Sequence, residues 1–422
     1  MPSKSQGALC TKERTLAFGL WFVVLFAARA GAQTVGEVLP PWTPGTLDIH
    51  QISTGRGNSA LFILPDGTTM LVDAGAQVGK SARWAAARPD ESRTPGQWIV
   101  RYVNHMLGHE PAPRLDYIFL THFHSDHMGQ VAADSKTSQS GAYKLSGITE
   151  VGDSIPIRKI LDRGWPDYQY PAPLEDPMVK NYRAFLKWQS EHNSMRVERI
   201  QPGRNDQIIL TRLPKQYPNF ELRIIMANGE VWTGVGSATR QHIPELKDLP
   251  LADRPTENMC SAGFRLSYGK FDYFSGGDIP GIPYEGFPLW HDIETPVAQV
   301  VGPVEASVLN HHGYIDSMNA FFIGALRPRV WILSVWDSAH PTARVYHRLQ
   351  NTRLYPGPRD IFANNMHEAN RIVISGLERI TSSRGHIVVR TAPGGDSYKV
   401  MILDDSAESY RVTAVHGPYQ SR

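Results

Sequence analysis

Residues 121–129 read Thr-His-Phe-His-Ser-Asp-His-Met-Gly, so three imidazoles and a carboxylate fall within six positions: His122, His124, Asp126 and His127. They follow the apolar run Tyr117-Ile118-Phe119-Leu120, which predicts a strand ending at the cluster. On an extended segment His122 and His124 point the same way, and Asp126 and His127, opening the next turn or helix, reach the same point from the other side. Neutral imidazoles and carboxylates suit a borderline cation such as zinc, which lowers the pKa of bound water enough to hold hydroxide near neutral pH. Two cations about 3.5–4 Å apart could share such a cluster. The competing reading is a histidine-rich surface loop, and sixteen histidines in 422 residues make so dense a group hard to explain that way.

The elements that must carry this cluster are legible around it. Residues 47–53, 60–65 and 69–72 read as strands, punctuated by Gly55, Gly57 and an Asp66-Gly67 turn. Residues 95–107 read as a helix, with Trp98, Ile99, Tyr102, Val103 and Met106 at helical spacing. Strand, helix, strand in that order predicts a layered α/β fold. The stretch between His127 and Asp278 looks insert-like, with residues 132–250 expected to roof the cleft and a helix expected near 177–191. Three β-type runs at 385–390, 397–403 and 410–415 predict a small antiparallel sheet packed on the core, within a β-rich extension covering 351–422.

The histidine cluster resembles the signature of the metallo-β-lactamase superfamily, and three further segments resemble its other motifs in the same order. These are residues 55–67 with Met70-Leu71-Val72-Asp73-Ala74-Gly75, then residues 268–278 ending on Asp278, then Val308-Leu309-Asn310-His311-His312-Gly313. The resemblance covers roughly residues 45 to 350 and implies a four-layer αββα metallo-β-lactamase sandwich with a small C-terminal β-rich extension. Within the superfamily the chain is most similar to the soluble hydrolase domain of the competence DNA-channel type, the ComEC type. That similarity rests on Asn258 to Ser261, the His-His-Gly and His340-Pro341. His124 stands where that type commonly has an aspartate, and the channel's long transmembrane portions have no counterpart here, so DNA transport does not carry over.

By resemblance, His122 and His124 would hold a first metal, while Asp126, His127 and one of His311 and His312 would hold a second, bridged to the first by Asp278. The expected cofactor is zinc, as two ions, with manganese as an alternative. On a strand His311 and His312 would face opposite ways, leaving one of them as ligand. No third-motif histidine is evident between His127 and Asp278. His192 and His242 lie there in no recognisable setting and read as surface residues, while Asn258 occupies the corresponding region. Asp73 reads as a residue that orients ligands by hydrogen bonding. His340, ahead of a helix predicted over 341–350, reads either as an assistant to a leaving group or as a helix cap. Trp165, Tyr168, Tyr170 and Tyr284 are candidates for a substrate wall, with ordinary packing as the alternative. Cys260 reads as a buried strand residue.

Composition excludes some classes. A hydrophobic share of 41% and a charged share of 20% are ordinary for a soluble globular domain and agree with an enzyme. Residues 1–32 hold four basic side chains and one acid, leaving 39 basic against 40 acidic elsewhere, so no basicity on the scale of a nucleic-acid binder is present. The same 32 residues have a charged start, an apolar stretch from Leu16 to Ala28 and an Ala30-Gly31-Ala32 site, the layout of a secretory signal peptide. That stretch is short for a membrane span. Cleavage would leave Cys260 as the single cysteine and no intrachain disulfide. The expectation is thus a periplasmic or secreted metal-dependent hydrolase with a small-molecule or phosphodiester substrate. An acyl hydrolase of the lactone or β-lactam type, and a non-catalytic exported binding protein on the same scaffold, are the alternatives.

Overall fold

A computed structural model describes residues 34–108 and 112–422; the expected signal peptide lies outside the described residues. The first half alternates strands with helices. Strands β1 (Asp48–Gln51), β2 (Ala60–Ile63) and β3 (Thr69–Val72) form an antiparallel meander, and helix α1 (Pro95–Met106) leads to β4 (Leu115–Phe119), parallel to β3. Thr94 and Gln97 close a capping box at the start of α1, which explains why the helix begins there. After the single turn α2 (Ser125–Met128), α3 (Ile148–Ser154) and α4 (Pro177–Asn193) alternate with β5 (Ile157–Asp162) and β6 (Arg196–Arg199), both added in parallel.

The second half repeats the scheme. Strands β7 (Phe220–Ala227), β8 (Glu230–Trp232), β9 (Thr239–Gln241), β10 (Gly263–Tyr268) and β11 (Phe271–Ser275) pair antiparallel. Then α5 (Glu294–Val301), β12 (Ala306–Val308), α6 (Ala320–Leu326), β13 (Val330–Leu333), α7 (Ala343–Gln350) and β14 (Asp360–Ala363) alternate, with β11 to β14 parallel. Helix α8 (Glu368–Val373) precedes β15 (His386–Thr391), β16 (Ser397–Leu403) and β17 (Val412–Gln420).

Side-chain alternation along the strands builds four layers. In β1, β2 and β4 the residues Ile49, Phe62 and Phe119 pack against Phe264, Tyr273 and Ile332 of the other sheet, forming the core between the sheets. The alternate residues Leu61, Leu71 and Ile118 pack outward onto Ile99 and Val103 of α1 and Phe185 of α4. On the far side Phe274, Trp331 and Leu333 pack outward onto Val297, Phe322 and Tyr346 from α5, α6 and α7. The architecture is the αββα sandwich that the sequence implies.

Two expectations about its parts are corrected. The tail strands do not make a sheet of their own: β15 pairs with β1 through Asp48↔Arg390 to Gln51↔Ile387, giving the order β17-β16-β15-β1-β2-β3-β4-β5-β6. Their alternating apolar residues find a better partner in the exposed edge of β1 than in a separate face. Residues 132–250 are likewise no mere roof, because they supply β5 and β6 to one sheet and β7 to β9 to the other.

Candidate metal centre

Parallel strands lay their carboxyl ends along one edge of the sandwich, and the chemistry collects there. Asp73 follows β3, His122 to His127 follow β4, Asp278 follows β11, His312 follows β12 and His340 follows β13. Asp126, His127, Asp278 and His312 form one group of donor atoms within 4.8 Å of one another, and His122, His124 and Asp278 form a second. Asp278 is common to both.

Asp73 organises the cluster. Its backbone is left-handed (φ 57°), and its carboxylate accepts from Asn58 Nδ2 at 2.9 Å, Thr121 N at 2.8 Å, Thr121 Oγ1 at 2.9 Å and His127 Nδ1 at 2.7 Å. Because Thr121 Oγ1 gives its proton to Asp73, it accepts from His122 Nδ1 at 3.1 Å. One carboxylate thereby sets the tautomer of two histidines. His312 Nδ1 donates to Ser334 O at 2.8 Å, which fixes a third.

These tautomers decide what the centre can hold. In its neutral form His127 presents a lone pair from Nε2, as His312 does, and the two atoms face each other at 3.2 Å. Asp126 Oδ2 lies 3.1 Å from His312 Nε2, and Asp278 Oδ1 lies 3.2 Å from His127 Nε2. With His127 neutral four acceptors converge there, an arrangement that a cation or a proton on His127 satisfies. In the other group His122 Nε2 meets His124 Nδ1 at 3.1 Å, with Asp278 Oδ2 at 3.8 Å. A charged His127 relieves the same crowding. Burial opposes charge on Asp126 and Asp278, yet His127, with His312, holds both carboxyls well below the usual range. Burial also pushes His122 well down. For His127 the surrounding Asp278, Asp73 and Asp126 outweigh burial and raise its pKa well above the ordinary value.

His311 and His312 lie in a turn after β12, with left-handed backbones (φ 43° and 52°), so strand alternation does not govern them. Glu294, buried at the start of α5, braces that turn by accepting from Asn310 Nδ2 at 2.7 Å. His312 joins the ligand group. His311 instead donates from Nδ1 to Asp316 Oδ1 at 2.7 Å and accepts from Asn258 Nδ2 at 3.1 Å. Asn258 is thus tied to a histidine beside the cluster.

Sequence reading missed Glu257. Its Oε1 accepts from Phe123 N at 2.7 Å, between His122 and His124, and from Arg163 Nε at 2.9 Å. Arg163 is fully buried and also donates to Asn228 Oδ1 at 2.9 Å. Neither residue has a motif spacing that could have flagged it.

His340 is buried, stacks on His312 with ring centroids 4.7 Å apart, and leaves its Nδ1 without a partner. Burial, then His312 and His311, hold its pKa well below the ordinary value. It is no helix cap: α7 begins at Ala343, with Thr342 at the cap position.

The expected aromatic wall is also corrected. Tyr168 is buried and donates to Asp162 Oδ2 at 2.8 Å, a carboxylate that also accepts from Tyr182 and from the backbone of Gly164 and Trp165. Trp165 lines a cleft of about 560 Å³ against α4, and Tyr170 lines one of about 340 Å³ beside Asn228; neither cleft includes a ligand candidate. Tyr284 is exposed and lies near Asp316 and Tyr314. Cys260 sits in the turn Asn258–Cys260 rather than a strand, and burial pushes its thiol up to about 12. His192 is exposed on α4, as expected, whereas His242 is half-buried with Nε2 unpartnered.

Residues 53–138 match the model of the metallo-beta-lactamase superfamily, a stretch containing β2, β3, α1, β4 and the His122 to His127 cluster. The chain is also similar to the metallo-beta-lactamase fold protein YhfI from Bacillus subtilis, at 12% identity and a TM-score of 0.32 over 83% of this chain and 98% of that one. No curated protein matches. Over residues 53–138, the stretch that holds the histidine cluster, the chain is thus similar to the metallo-beta-lactamase superfamily.

Proposed function

We propose that this protein is an exported metal-dependent hydrolase acting on phosphodiesters, nearest within its superfamily to the competence-type hydrolase domain. The observation that carries the reading is the convergence of His127 Nε2, His312 Nε2, Asp126 and Asp278 on one point, with Asp278 shared by His122 and His124. Bound cations would neutralise phosphoryl charge and activate water. His122 and His124 with Asp278 would hold one cation, and Asp126, His127 and His312 with Asp278 the other. The first group lacks a third imidazole, since Asn258 is engaged with His311, and this favours an exchangeable position for a non-bridging phosphoryl oxygen. His340, neutral through burial and with a free Nδ1, is assigned to assisting the leaving group. Export rests on the layout of residues 1–32, and among the described residues no helix is long and apolar enough to cross a membrane.

Bis(p-nitrophenyl) phosphate and nitrocefin, assayed side by side with zinc or manganese, test the substrate class. Metal-dependent turnover of the diester is expected. Hydrolysis of nitrocefin with none of the diester would replace the reading with an acyl hydrolase. N-terminal sequencing of the mature protein should give Gln33, and an intact leader in a membrane fraction would refute export by cleavage.

A further inference from the structure

We propose that the indole N–H of Trp336 is a hydrogen-bond donor to a substrate oxygen at the cation side of His312, an inference that rests on the metal-hydrolase reading and adds an oxyanion-binding residue to it. Trp336 sits on the loop after β13 and is half-buried. Its Nε1–H is directed at His312 Nε2, 3.4 Å away, and that is its hydrogen-bond partner among the described residues. An indole can only donate. His312 Nδ1 already donates to Ser334 O, so the Nε2 facing Trp336 is a lone pair, and Asp126 Oδ2 and His127 Nε2 lie 3.1 and 3.2 Å from the same atom.

A nitrogen lone pair serves one partner. Once His312 Nε2 binds a cation it can no longer accept from Trp336, and the N–H is left facing the position where a ligand of that cation enters. An acceptor carrying negative charge fits there, and a phosphoryl or carboxylate oxygen is the chemistry that supplies one. The ring cannot easily turn away. The backbone carbonyl of Trp336 accepts from Ala85 N at 2.8 Å, Val335 N donates to Asn364 Oδ1 at 2.8 Å, and the ring packs edge-to-face with Trp84 (6.4 Å) and His340 (5.2 Å). A neutral donor held this way stabilises an oxyanion without adding charge that would repel the cations.

The test uses the full chain loaded with zinc, titrated calorimetrically with inorganic phosphate and, separately, acetate. Trp336→Phe should keep the wild-type metal count and bind phosphate about 10- to 100-fold more weakly. Trp336→His, which restores a ring N–H, should bind phosphate more tightly than the Phe variant. Equal phosphate affinity in wild type and Trp336→Phe overturns the proposal, as does a wild type that binds neither anion. If the wild type binds acetate and not phosphate, the phosphodiester reading fails and Trp336 is judged on acetate by the same comparison. A measurement on the wild type alone guards against variants that do not fold: in protein labelled with 15N-tryptophan, the indole signal broadened most by Mn2+ should shift when phosphate is added to the zinc form. No shift overturns the proposal.

Discussion

Asp73 contacts no proposed cation position directly, yet its four hydrogen bonds fix Asn58, Thr121, His127 and, through Thr121, His122. Removing such an orienting carboxylate typically costs 10- to 100-fold in metal affinity. Asp73→Ala should show that loss in chelator competition, with the His127 group affected most because its Nδ1 proton loses its acceptor. Unchanged affinity would mean that the tautomers are set elsewhere. At this scale the cluster from His122 to His127 was legible because its residue types have few other uses at that density. The roles of His311 and His312 were not, because two consecutive left-handed residues leave no trace in strand periodicity. Tyr168 was misread for a related reason: its hydroxyl serves Asp162, a buried carboxylate whose need for donors cannot be seen from spacing.

Among the elements, the loops after β3 and β4 are locked by backbone contact. Gly75 N donates to Asn58 O at 2.8 Å, Asn58 N donates to Asp126 O at 2.7 Å, and a Cβ on Gly75 would lie 1.9 Å from Asp126 O. No side chain can yield there, so Gly75→Ala must displace the Asp126 backbone. The expected cost is about 1–3 kcal/mol or more in stability, accompanied by weaker metal binding at the Asp126 group. A urea melt and a metal count on the variant check both, and a variant matching wild type in each would show that the loop is softer than its packing implies. Strands β1 to β3 and α1 were readable to within a residue or two, since their patterns are local. Strands β5 to β9 were hidden in an apparent insert: β6 is Arg-Val-Glu-Arg at the sheet edge, with no apolar alternation to announce it.

For the whole molecule, the tail is part of the sandwich. Ile387, Val389, Val400 and Ile402 enter the core between the sheets, while Val388, Met401 and Leu403 face the helices. At about 1.5–3 kcal/mol per buried aliphatic side chain, these seven contribute as much as the whole net stability of about 5–15 kcal/mol typical of a domain. Truncation after Gly385 should therefore give a chain without a cooperative melt; a folded, metal-binding truncate would show that the sandwich stands without the tail. The tail also brings His386, whose Nδ1 accepts from Ser53 N at 3.0 Å. Burial, then His50, pushes its pKa down to about 3. The unfolded chain binds this proton near pH 6.5 and the folded one does not. Stability from this group is thus complete above about 6.5 and falls toward pH 3, by up to about 1.4 kcal/mol per pH unit. His386→Asn should flatten the acid side of the urea-midpoint profile by that slope, and an unchanged profile would assign the acid sensitivity to other groups.

The central claim is a centre of two cations joined by Asp278. Metal analysis of the purified chain and of Asp278→Ala, both equilibrated with zinc and desalted, addresses it most directly. Two ions per wild-type chain are expected, and at most one, weakly held, in the variant. A wild type without stoichiometric metal, or a variant that keeps two ions, would contradict it.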